Sequence, residues 1–182
     1  MSTKYKIHNP EAVYFITFST VQWVDIFTRD CYRKIVSESL NYCVANKGLI
    51  IYAWVLMTNH VHLVCRSNVD SKLSDIMRDL KKFTAVQIVR ELTANYQESR
   101  KGWLQWLLRS SANESSSNKN YQVWQHDNHP IELDTTYFVE QKIDYIHHNP
   151  VRAGFVTTAE AWQYSSARDF AGEQGFVTIC PV

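Results

Sequence analysis

The chain has 182 residues, enough for one domain that buries its core without disulfides. Lys and Arg number 19 against 18 Asp and Glu, a net charge of +1, so bulk charge neither favours nor excludes a nucleic-acid partner, whose basic footprint would be local. No run approaches the ~18 apolar residues of a membrane span, and no apolar signal core follows the first residues; a cytoplasmic protein with no membrane partner is expected.

Residues 13–20, VYFITFST, carry bulk on both faces and read as a strand covered on at least one side. Thr28-Arg29-Asp30 is a helix start, followed by an amphipathic helix to about Asn46 with Ile35, Val36, Leu40, Cys43 and Val44 on its apolar stripe. Gly48 stands at the usual helix stop. The run LIIYAWVLM at 49–57 is a buried central strand, Thr58-Asn59 a tight turn, and HVHLVCR at 60–66 a second strand, so the two form an antiparallel hairpin. A long helix starts at Ser71 or Ser74 and runs to about Asn95. The Ser/Asn-rich stretch at 110–120 predicts an exposed polar loop, about 109–121, inside one domain that spans 1–182. Val123-Trp124-Gln125 suggests a short strand. A third helix is predicted from about Asp134 to Asn149, stopped by Pro150, with a short helix near Ala159–Trp162. This order of elements indicates an α+β fold. A ferredoxin-like sandwich, an antiparallel sheet with helices on one face, fits it best.

The four cysteines, Cys31, Cys43, Cys65 and Cys180, form no CxxC pair and read as free thiols. His60 and His62 are two apart on a strand, so both imidazoles share a face while Val61 and Leu63 point into packing. Two imidazoles so placed can converge on one metal ion, or can simply be satisfied histidines. A third ligand would still be needed. Tyr145 and Asn149 are i and i+4 on the third helix, hence on one face. A tyrosine hydroxyl beside a metal-bound phosphate can attack phosphorus, and an amide oxygen one turn away can complete the metal's shell. The plainer alternative is that Tyr145 packs and Asn149 caps the helix. His147 and His148 are competing ligands.

The stretch WVLMTNHVHLV at 54–64 resembles the HUH motif of single-tyrosine transposases of insertion sequences, most closely the REP-associated tyrosine transposases. DYIHHNPVRAGFV at 144–156 resembles the tyrosine-helix signature of the same group. YFITFST, VWQHDNHPIEL and WQYSSARDF are similar to it as well, so the likeness covers most of the chain in the right order. By position, His60 and His62 match the metal histidines, Tyr145 the nucleophile and Asn149 the third ligand. The resemblance implies a ferredoxin-like fold and Mg2+ or Mn2+. It also implies single-stranded DNA, often beside a hairpin, cut and rejoined through a covalent 5′-phosphotyrosine intermediate. Thr58 departs from the proline usual in relatives, and the polar insertion lengthens one loop.

DNA contacts are expected from a local basic excess over residues 72–101, with Lys81, Lys82 and Arg152 as the best single candidates. Trp124 and His129 sit in a polar-aromatic stretch that could meet a base or hairpin; core packing is the other reading of Trp124. Three rivals stand beside the transposase. One is a non-catalytic nucleic-acid module, although HVHLVCR lacks the Gly-aromatic pattern of RNA-recognition strands. The second is a domesticated binder of repeat hairpins. The third is a structural zinc site on His60, His62 and Cys65, weakened because Cys65 falls on the opposite strand face. A homodimer exchanging the tyrosine helix and a self-contained monomer both fit.

Overall fold

The computed structural model describes residues 7, 9, 11–113 and 120–180. Its centre is a four-stranded antiparallel sheet in the order β2-β3-β1-β4, made of β1 (Val13–Ser19), β2 (Leu49–Leu56), β3 (His60–Ser67) and β4 (Ile131–Leu133). The helices are α1 (Asp30–Lys47), α2 (Leu73–Ala94), α3 (Lys101–Asn113), α4 (Thr136–Arg152) and the single turn α5 (Ala167–Phe170). Strand order and direction are those of the ferredoxin-like sandwich, as expected.

Side-chain parity sorts the core into two layers. Tyr14, Ile16 and Phe18 of β1 and Val61, Leu63 and Cys65 of β3 pack toward α1, α2 and α3. Phe15 of β1 and Val64 of β3 pack on the other face with Val139, Ile143 and Ile146 of α4. An irregularity between Ile51 and Ala53 shifts the phase of β2, so Trp54 and Leu56 join the first layer and Ala53, Val55 and Met57 the second. The two long helices therefore share one face and α4 crosses the opposite one, so the expectation of helices on one face alone is corrected.

Three local expectations are corrected. The fourth strand is Ile131–Leu133; Val123-Trp124-Gln125 contributes only an isolated bridge from Trp124 to Thr20. Trp124 is spent on packing: its indole lies against Phe18 and Phe27 and donates to Thr84 Oγ1 at 2.9 Å. The polar loop begins later than position 109, because α3 runs to Asn113 with Leu104, Leu107, Leu108 and Ala112 buried along one stripe. The rest of that predicted loop, at 114–119, lies outside the described residues. Pro150 does not stop α4, which continues to Arg152. A proline this close to a helix end removes a single backbone donor, and the Ala153 N–H still closes onto the Asn149 carbonyl at 3.0 Å.

The segment after α4 folds back on β2. Leu56 N–H donates to the Tyr164 carbonyl, and Trp54 exchanges hydrogen bonds with Ser166. Ser166 Oγ also meets His147 Nε2 at 2.9 Å, which pins α4 to this edge. No helix among the described residues is long and apolar enough to cross a membrane.

Gly48 ends α1 at φ 71°, and a β-carbon there would run into the Asn68 side chain. Gly48→Ala should therefore destabilise the fold by about 1–2 kcal/mol in urea unfolding; an unchanged midpoint would contradict this.

Candidate metal and nucleophile site

Register sets the histidines. On β3, His62 stands opposite Thr17 of β1 and Val55 of β2, and His60 opposite Ser19. Both rings thus emerge on the α4 face, with centroids 4.7 Å apart. Each is oriented through Nδ1. His60 Nδ1 donates to Asn59 Oδ1 at 2.7 Å, and Thr17 Oγ1 lies 2.7 Å from His62 Nδ1. Neither Nε2 makes a hydrogen bond among the described residues. With Nδ1 as the donor, such an outer partner fixes the ring and leaves the other nitrogen open to a metal ion.

Helix α4 brings Tyr145 to the same place. Its ring lies 5.4 Å from that of His62 and 5.9 Å from that of Phe15, and Phe15 stacks on His62 at 5.3 Å. Tyr145 is half-buried, and its hydroxyl makes no hydrogen bond among the described residues. Asn149, one turn on and also half-buried, likewise has an uncommitted side-chain amide among the described residues. Two cations flank the tyrosine: Lys142 Nζ is 5.6 Å from its ring centroid and Arg152 Cζ 5.5 Å.

Burial lowers the pKa of both site histidines. For His60 the effect is opposed by Asp25. For His62 it is reinforced by His60 and Lys142, to about 3. Both rings are therefore neutral near pH 7, the state a metal requires. Among the described residues no group of three or more His, Cys, Asp or Glu side chains could hold a metal ion. Two neutral imidazoles completed by an amide oxygen from Asn149 suit a hard divalent ion with open positions. Cys65 is fully buried in the opposite layer, which removes the zinc alternative built on it.

The remaining candidates fall elsewhere. His147 is buried, its pKa pushed down to about 4 chiefly by that burial, and bonds Ser166. His148 pairs with Asp144. Lys81 is not a free surface cation: Nζ donates to the Gln125 and His126 carbonyls and to Asn128 Oδ1, tethering that segment. Lys82, His129 and Arg152 are exposed, and Arg152 reaches the site, over the ring of Tyr145. Sequence reasoning missed Lys142, readable as i−3 from Tyr145, and Trp23, whose ring meets that of His60 edge-on at 5.8 Å.

A ferredoxin-like sheet with His-x-His on a central strand, faced by a helical tyrosine, is the arrangement of the HUH single-tyrosine class. Residues 10–141 match the family described as Transposase IS200 like, and the chain belongs to that family. The match stops just short of Tyr145, which is placed by the geometry above. The structure of a REP-associated tyrosine transposase bound to a REP hairpin shares the fold, with a TM-score of 0.67 at 20% identity over 100% of this chain and 93% of that one. A crystal structure of a candidate transposase from Deinococcus radiodurans gives 0.47 at 14% identity, over 80% of this chain and 95% of that one. No curated protein matches the chain.

The depressed His62 has a consequence for stability. The unfolded chain binds its proton at the ordinary 6.5, the folded chain only near 3. Its neutral burial favours the fold above pH 6.5, and that contribution is lost as pH falls from 6.5 through about 3. In metal-free protein the His62 imidazole resonances should stay at neutral positions down to pH 5; titration near the ordinary value would contradict the burial.

Proposed function

We propose that this chain is a metal-dependent transposase that cuts and rejoins single-stranded DNA through a 5′-phosphotyrosine intermediate on Tyr145. The observation that supports it most is the presentation of Tyr145 by α4 to the sheet face that carries both histidines, 5.4 Å from His62 ring to ring. The hairpin bound by the REP-associated relative supports a substrate cut beside a DNA hairpin.

Magnesium or manganese held by His60, His62 and Asn149 would supply Lewis-acid polarisation of the scissile phosphate. The protein's own part is positioning and charge. Thr17 and Asn59 fix the two imidazoles. Lys142 and Arg152 place positive charge beside the phenol, where it favours the anionic nucleophile and the charge that builds on phosphate in the transition state. Tyr145 Oη gives its proton to solvent and forms a bond to phosphorus as the bond from phosphorus to the 3′ oxygen breaks; the departing oxygen takes up a proton. The phosphotyrosine conserves the phosphoester bond. A 3′-hydroxyl of another strand can then attack it, releasing tyrosine without ATP. The packing of α4 on the sheet of the same chain supports a reading in which Tyr145 serves its own site.

The test uses labelled single-stranded oligonucleotides from the flanks of the gene, incubated with purified protein and Mg2+ or Mn2+. A metal-dependent, SDS-resistant protein–DNA band is expected, lost in His60→Ala and in Tyr145→Phe. Mixing the two variants should not restore it. DNA binding without any band in correctly folded wild type would favour a domesticated, non-catalytic binder of repeat hairpins. A band retained in Tyr145→Phe would refute the assigned nucleophile.

A further inference from the structure

Trp23 closes the turn Val21–Trp23 that follows β1, and it is built at a conformational cost. Gln22 and Trp23 take φ values of 51° and 53°, two consecutive left-handed residues of which neither is glycine. The surroundings hold them there. Val21 and Val24 are buried on either side, and the Thr20 hydroxyl donates to the Val24 carbonyl at 2.8 Å. Asn59 Nδ2 donates to the Trp23 carbonyl at 3.0 Å, while Asn59 Oδ1 accepts from His60 Nδ1. One amide therefore ties the turn to the first histidine.

Core packing does not account for this arrangement, because the Trp23 side chain remains 56% exposed. What the turn accomplishes is placement. It sets a large, open aromatic face at the lip of the His60–His62 site, with the indole edge-on to His60 at 5.8 Å. Strain retained by an over-determined backbone at such a position is characteristic of functional sites. Lys142 and Arg152 lie on the opposite, Tyr145 side. Charge for the phosphate chain and an aromatic face for a base thus border the same histidine pair.

We propose that Trp23 is the stacking platform for an unpaired base next to the phosphate that is cut. The inference rests on the single-stranded DNA reading above and extends it by naming the residue that engages the base. Stacking on an aromatic ring needs a base whose face is free, and every base offers such a face. Trp23 therefore selects for single-strandedness at the cleavage point rather than for sequence.

The experiment takes the oligonucleotide on which wild-type protein forms its covalent adduct and replaces each nucleotide flanking the cut, one at a time, by an abasic residue. Wild type is compared with Trp23→Phe, Trp23→Ala and Trp23→Gly, the last removing both the ring and the backbone strain. In wild type and Trp23→Phe, one abasic position should weaken binding about tenfold, the scale of one base stacked on an aromatic ring. Trp23→Ala and Trp23→Gly should bind the intact oligonucleotide about tenfold more weakly. They should lose nothing further at that abasic position, since the two changes remove one contact. If adducts form but the Ala and Gly variants bind as wild type does and keep the full abasic sensitivity, the stacking role is overturned while the transposase reading stands. If wild type forms no adduct on any flanking oligonucleotide, the transposase reading fails and the role of Trp23 falls with it.

Discussion

Val139, Ile143 and Ile146 of α4 pack against Phe15, Ala53, Val55 and Val64, and that seat brings Tyr145 to the histidines. Tyr145 stands on the side of the helix next to these anchors, so its distance to His62 is set by how deeply the helix lies on the sheet. Ile146 is fully buried, and truncating a side chain in such a place costs about 2–5 kcal/mol. His147, bonded to Ser166 beneath β2, prevents rotation of the same helix. A loosened α4 would displace the tyrosine before it unfolded the sheet.

The face beneath that helix is an uncommon mixture. Phe15, Ala53, Val55 and Val64 make it apolar, yet it carries two imidazoles. The apolar setting keeps both rings neutral, and the hydrogen bonds to Thr17 and Asn59 keep them oriented. Positive charge is supplied from the side, by Lys142 over Phe15 and Tyr145 and by Arg152 over Tyr145. The division suits phosphoryl chemistry, in which placement and charge do most of the work. A near-neutral bulk charge is compatible with this, since Lys142 and Arg152 are local to the tyrosine.

Period-two alternation was enough to put His60 and His62 on one face, and helical spacing enough to align Tyr145 with Asn149, because both are properties of a single element. That α4 would cover the face opposite α1 and α2 was not readable from its own stripe, since periodicity says which side of a helix is apolar but not what it packs against. Helix α3 was not anticipated, and the Ser/Asn-rich composition concealed its end, where Ser111 and Ala112 are buried next to Leu107 and Leu108. Lys81 read as a surface cation because its acceptors lie on a segment more than 40 positions away, at Gln125, His126 and Asn128. Trp23 was silent for another reason: no glycine or asparagine marks its left-handed turn, so only tertiary contacts enforce it.

The most direct test of the central claim is the chemical identity of the attacking residue. Wild-type protein incubated with its oligonucleotide and Mn2+ would be digested with nuclease and protease, and the peptides sequenced by mass spectrometry. The account predicts a nucleotide attached through phosphate to the peptide containing Tyr145, with the tyrosine oxygen as the site. A nucleotide on another of the chain's tyrosines, or DNA cleavage with no modified peptide, would contradict it.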